Sequence, residues 1–170
     1  MRSSKQRRLG AGRANRPLPH RELQEFGRPR ADFVVCPSCG AVFDDKRWKA
    51  GFHLVRDARE TKKVFFHLCP ACAMVRQGQF EGEVVAIGVP ERRIAETVAR
   101  IESVGRTAAK RDPLDRIIRV SRRGRTIVVT TTENQLAVRV GKAVRAILGG
   151  RLLIRWSHEE DIVRVRWQKI

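Results

Sequence analysis

Cys36-Pro37-Ser38-Cys39-Gly40 and Cys69-Pro70-Ala71-Cys72 hold all four cysteines of this 170-residue chain. Two thiolates spaced by two residues can converge on one ion, and two such pairs complete a tetrahedron of sulfurs. That shell has no open position for substrate, so a metal held there is structural. Pro37 presets one backbone angle of the first knuckle, and Gly40 can supply a positive φ after it. The expected ligands are Cys36, Cys39, Cys69 and Cys72, around one structural Zn2+. A disulfide framework or a redox dithiol would use the same residues. The lack of a secretory leader before them favours a cytoplasmic, metal-binding reading. The 29 residues between Cys39 and Cys69 make a long loop or extended hairpin. His53 and His67 lie within that interval and are read as hairpin or surface residues, because four sulfurs already fill the shell.

Outward from the cysteines, Phe33-Val34-Val35 leads into the first knuckle as a strand and Ala41-Val42-Phe43 leads out of it. Val64-Phe65-Phe66 runs to the second. This is the pattern of a zinc ribbon, in which a metal replaces the core that so few residues cannot build. Trp48, Phe52 and the other phenylalanines are expected to pack against the cluster, and Arg56 to Lys63 to form the ribbon tip.

Charge is the second large fact. Lys and Arg number 36 against 18 Asp and Glu, a formal +18. The surplus sits at the two ends, with nine basic and two acidic residues in 1–30, and thirteen and six in 112–170. A chain of this kind complements a polyanion. No run of about 20 apolar residues is present, which excludes a transmembrane helix. Residues 1–32 are rich in Arg, Gly, Pro and Ser and cannot bury enough apolar surface to offset their ordering, so they read as a disordered basic arm. The domain reading is therefore arm 1–32, zinc ribbon 33–80 and basic α+β domain 81–170.

In the last of these, Glu83 to Val89 reads as a strand. Pro90 starts a helix with Ile94, Val98, Ile101 and Val104 on one face, ending near Gly105, and Arg106 to Pro113 is a polar linker. An Arg123-Gly124 turn would pair Val120 with Ile127 and Ile118 with Val129. Thr132 is placed as an N-cap with Gln135 completing a capping box. The second helix carries Leu136, Val140, Val144, Ile147 and Leu148 on its apolar stripe and ends at Gly149-Gly150, with Arg139, Lys142 and Arg145 outward. In the last hairpin, a loop over His158–Asp161 pairs Leu152 with Trp167, Ile154 with Val165 and Trp156 with Val163. The other face then carries Arg151, Arg155, Arg164 and Arg166 with Leu153. The fold class is α+β: a zinc ribbon followed by a split βαβ, ferredoxin-like antiparallel sheet domain with two helices and an added edge strand.

Arginine dominates the C-terminal block, and its planar fork suits paired contacts to phosphate. Arg119, Arg139, Lys142, Arg145, Arg151, Arg155, Arg164 and Arg166 are the expected nucleic-acid contacts. With no Tyr and no aromatic-rich segment for stacking, they point to structured RNA recognised by shape and phosphate. Catalytic signatures are missing: His158-Glu159-Glu160-Asp161 falls at a hairpin loop and lacks a helical histidine pair. The expectation is a non-catalytic protein. A DNA-associated transcriptional regulator using the ribbon for docking is the alternative.

Cys36–Gly40, Leu68–Cys72, Gly82 with Val84-Val85, Asp112-Pro113-Leu114-Asp115-Arg116-Ile117, and Thr130-Thr131-Thr132 through Leu136-Ala137 to Gly141 carry a family resemblance. Together they resemble small bacterial proteins related to the nonsense-mediated-decay-three family of large-ribosomal-subunit export adaptors. The resemblance spans roughly residues 33–170. It implies a zinc-containing protein associated with RNA or the ribosome, as an assembly or dormancy factor, with ribosomal RNA, a ribosomal subunit or ribosomal proteins as partners and no membrane. Eukaryotic members have eight cysteines and C-terminal transport signals. This chain has four cysteines and no such extension, so nuclear export is not implied.

Overall fold

Alternation of apolar and polar residues builds the larger of two sheets, and helical periodicity places two long helices against it. The computed structural model describes residues 33–51, 64–157 and 161–170, all within a unit spanning residues 31–170. The N-terminal arm, Phe52, His53, the Arg56–Lys63 tip and His158 to Glu160 lie outside the described residues.

The smaller sheet holds β1 (Phe33–Val35), β2 (Val42–Asp44), β3 (Arg47–Lys49) and β4 (Val64–Phe66), in the order β3-β2-β1-β4. β1 and β2 form an antiparallel hairpin around the first cysteine pair, while β4 lies parallel to β1. The unanticipated β3 follows a two-residue turn, Asp45-Lys46, with φ of 49° and 62°. Positive φ at both central residues matches the right-handed twist of a hairpin. Lys49 Nζ closes that hairpin on Asp44 Oδ2 at 2.5 Å. Phe33, Val35 and Val42 bury against one another with Val64 beside them. Trp48 is buried too, but Phe65 and Phe66 on the edge strand are more than half exposed, so packing against the cluster fails for those two.

The second cysteine pair does not sit on another hairpin. It opens α1 (Pro70–Gln77), because Pro70 at the first helical position is preorganised for a helix and Cys69 caps it. Gly78 closes α1 with φ 68°. The region is therefore a hairpin knuckle plus a helix start, where two ribbon knuckles were expected.

The larger sheet contains β5 (Gly82–Ile87), β6 (Ile117–Arg123), β7 (Thr126–Thr131), β8 (Arg151–Trp156) and β9 (Val163–Gln168), ordered β6-β7-β5-β9-β8. It is mixed, not antiparallel as expected, since β9 runs parallel to β5. The reason is topological: β8 goes first to the sheet edge, and the extra reversal brings β9 back beside β5 in the same direction. The β8–β9 pairs are those read from the alternation, Leu152 with Trp167, Ile154 with Val165 and Trp156 with Val163.

One face of this sheet carries α2 (Ile94–Arg111) and α3 (Asn134–Leu148). Val84, Ala86, Ile127, Val129, Val163, Val165 and Trp167 meet Ile94, Ile101, Leu136, Val140 and Val144 in a single core. Trp167 satisfies its indole N–H on Gly149 O at 2.6 Å. α2 continues past Gly105 to Arg111, so the expected linker from Arg106 is helical. Gly105 is not a terminator but a contact residue: a Cβ there would lie 2.6 Å from Ile117 Cδ1. Gly141 has the same role, with a Cβ falling 2.4 Å from Val165 Cγ1. The β6–β7 turn is Gly124-Arg125, one residue later than expected, with Arg123 paired to Thr126 and Val120 to Val129. Gly124 takes φ 56°, which a hairpin turn with positive φ at its first central position requires. The shift moves the partner of Val120 by two residues and so keeps its face, but a register irregularity between Ile117 and Arg119 removes the expected Ile118–Val129 pairing and packs Ile117 on the core instead. No helix among the described residues is long and apolar enough to cross a membrane.

Candidate metal centre and basic faces

The hairpin turn and the first turn of α1 bring the Sγ atoms of Cys36, Cys39, Cys69 and Cys72 within 4.8 Å of one another. Cys39 Sγ and Cys69 Sγ are 3.7 Å apart, near the edge of about 3.8 Å expected for a tetrahedron with Zn–S bonds of about 2.3 Å. Gly40, with φ 72°, turns the first knuckle, where Gly40 N donates to Cys36 O at 2.9 Å and Cys36 N to Ala41 O at 2.8 Å. In the second, Cys72 N donates to Cys69 Sγ at 3.4 Å. Cys36, Cys69 and Cys72 are buried, while Cys39 is exposed. Burial pushes the Cys36 thiol up, but backbone N–H groups of Cys69, Cys39 and Ser38 outweigh it and hold the group down at about 7. Burial drives Cys69 and Cys72 upward, in keeping with sulfurs packed against one another. The arrangement fits a closed metal site of four sulfurs.

Sequence reading missed Arg116. Its Nη1 donates to Cys72 Sγ at 3.4 Å and its Nε to Pro113 O at 2.6 Å. Burial works against its charge, but the neighbouring cysteine sulfurs prevail and raise its pKa. A four-thiolate site around a divalent ion carries about −2, and Arg116 is a cation that touches one of its sulfurs. The pattern Asp112-Pro113-Leu114-Asp115-Arg116 is the signal that could have found it, because Pro113 stops α2 and the tight turn after it returns the chain toward the cysteines. Arg116, Cys39 and Pro113 also line an open crevice of about 560 Å³ between the cysteine region and α2.

Thr132 is not the expected helix cap. Glu133 occupies that position without a side-chain cap bond. Thr132 is buried and ties two segments together instead: its Oγ1 donates to Leu114 O at 2.5 Å and accepts from Arg116 N at 2.8 Å. Asp115 accepts from Arg139 and, at 3.3 Å, from Arg111 Nη2. Gly82 has room for no Cβ, which would lie 2.4 Å from Thr131 Oγ1 and 2.5 Å from Ala137 Cβ. Contacts thus link Cys72 through Arg116 and Leu114 to Thr132, and Thr131 beside it to Gly82 and Ala137 at the start of α3.

The expected nucleic-acid contacts divide into three groups. Strand register places Arg119, Thr130, Glu83, Arg164 and Arg155 in one row across the sheet face opposite the helices, with Ser121, Val128, Val85, Arg166 and Leu153 in the next. Arg151 shares this face through its pairing with Gln168, and Arg123, which sequence reading omitted, joins it through Thr126. Lys142 and Arg145 are exposed on α3, on the other side of the sheet. Arg139 is half-buried against Asp115, not open. No aromatic residue lies in these rows. Comparison with protein-family models, curated proteins and solved structures finds no match.

Proposed function

We propose that this protein binds structured RNA, as a zinc-containing and ribosome-associated factor, through the open face of its five-stranded sheet. The observation that supports this is the arginine face: Arg119 and Arg123 on one side, Arg151, Arg155, Arg164 and Arg166 on the other, with Glu83 the single acid in the rows between them. The outer strands lie about 19 Å apart, at about 4.8 Å per strand, so guanidinium groups reach phosphates spread across a folded nucleic acid. Rows without aromatics offer no stacking platform for splayed bases, and recognition by backbone and shape follows. Zinc is the ion that four thiolates at tetrahedral spacing best accommodate. Its part is structural: it fixes the hairpin and the start of α1, and it holds no reacting group. The resemblance to the export-adaptor family points toward the large ribosomal subunit.

Cosedimentation with ribosomal particles from the same host, at low and high salt, tests this reading. Comigration with one subunit, lost as salt rises, is the expected result. A protein that stays at the top of the gradient at every salt concentration, yet binds one DNA duplex sequence selectively, would replace it with the regulator reading.

A further inference from the structure

The helical side of the sheet holds a second concentration of positive charge that the sheet-face reading does not use. Arg100, Ser103, Val104, Thr107, Ala108 and Arg111 of α2, with Arg139 of α3, line a groove of about 320 Å³. Three of its lining residues are arginines and none is acidic. Behind the groove, Asp115 has a side chain only 12% exposed and pairs with both Arg111 and Arg139. One carboxylate therefore serves two guanidinium groups and leaves one positive charge over. Arg100 is exposed and has no ion-pair partner among the described residues, which adds another. Glu133, the remaining acid facing Arg139, is held toward its neutral form by burial and by the charges of Glu81, Asp115 and Asp112. Arg139 Nε is buried with no hydrogen-bond partner among the described residues, a donor that a native site ordinarily satisfies.

We infer that the α2–α3 groove is a phosphate-binding site. Asp115 holds Arg139 in place, which lowers the entropy lost on binding an anion, while Arg111, paired with the same carboxylate but largely exposed, and Arg100 supply the outer clamp. The Ser103 hydroxyl adds a neutral donor. The phosphate belongs either to a second RNA segment or to a small phosphorylated molecule. In the first case the protein, with arginines on both sides of one sheet, links two segments of folded RNA; this extension rests on the RNA reading, whereas the phosphate site does not.

The test uses the full-length, 15N-labelled, metal-loaded protein titrated with inorganic phosphate, observing the arginine Nε–H signals. The expected result is a saturable shift at Arg139 and Arg100, weakened about tenfold or more by Arg100→Glu and unchanged by the sheet variant Arg155→Ala/Arg166→Ala. Arg100 is chosen because it is exposed, whereas changing Arg139 would strand buried Asp115. Absence of a saturable shift, or an equal response in Arg100→Glu, overturns the site. The two sources are separated by asking whether protein held on an immobilised RNA duplex captures a second, labelled duplex. Capture lost in Arg100→Glu assigns the groove to RNA, and phosphate binding without capture assigns it to a small phosphorylated ligand. Failure of the sheet-face reading has its own signature, RNA binding that Arg155→Ala/Arg166→Ala leaves intact.

Discussion

The cysteine region and the five-stranded region solve the same problem, holding short strands together, by different means. In the first, Phe33, Val35 and Val42 with Val64 are nearly all the core there is, and four sulfurs stand at its end. In the second, the core runs continuously from Val84 to Trp167 through two helices and three strands, with residues of β6 and β8 packed against it. A metal binds a few residues with an energy on the order of 10 kcal/mol, whereas apolar burial accumulates over many. The first region should therefore fail abruptly when one component is lost, and the second gradually.

The largest effect expected is metal removal. Trp48 reports on the small sheet and Trp167 on the large one, both buried. With a strong chelator, or in Cys69→Ser, the Trp48 indole signal should lose its dispersion while the Trp167 signal keeps its position. Simultaneous collapse of both would make the two regions one cooperative unit. The reciprocal experiment is Leu136→Ala. Leu136 is fully buried, and its truncation should lower stability by about 2–5 kcal/mol in urea melts while the folded protein keeps full metal content.

A smaller effect sharpens the coupling between the regions. Arg116 reaches from the second into the first, so Arg116→Ala should weaken metal retention about 10–100-fold against a competing chelator, with little change at Trp167. Equal retention would make that contact incidental. The smallest effect concerns pH. Burial first, then the charges of Glu81, Asp115 and Asp112, against the pull of Arg139, raise Glu133 from 4.5 to about 7. The protonated form is the one the folded state favours. Its stabilising contribution is complete below about 4.5 and is lost as pH rises through about 7. Glu133→Gln, which mimics the protonated acid, should flatten the decline in stability between about pH 5 and pH 8, and parallel curves for the two proteins would contradict this assignment.

Legibility from sequence also differed between the regions. The β8–β9 pairing could be read outright, because Leu152, Ile154 and Trp156 alternate with Arg on one strand as Val163, Val165 and Trp167 do on the other. Cysteine spacing pointed to the cluster of four sulfurs, since two short pairs leave few ways to place them. The same pairs concealed α1, because a Cys-Pro start serves a helix as well as a knuckle. Gly105 concealed the end of α2: glycine marks both helix ends and close contacts, and only the position of Ile117, a dozen residues on, distinguishes them. Thr132 was illegible for a related reason, as its partners Leu114 O and Arg116 N are distant in sequence, whereas Arg116 left only the turn at Pro113 as its signal. Arg139, at an outward-looking position on α3, turns to Asp115, which no periodicity within α3 reveals.

The arginine face of the large sheet, proposed to hold RNA by its phosphates, is probed by the salt dependence of binding to a structured RNA. Wild-type affinity should fall linearly with the logarithm of salt concentration, and Arg155→Ala/Arg166→Ala should bind more weakly with a slope shallower by about two. Equal slope and equal affinity in the variant would show that RNA, if it binds, is held elsewhere.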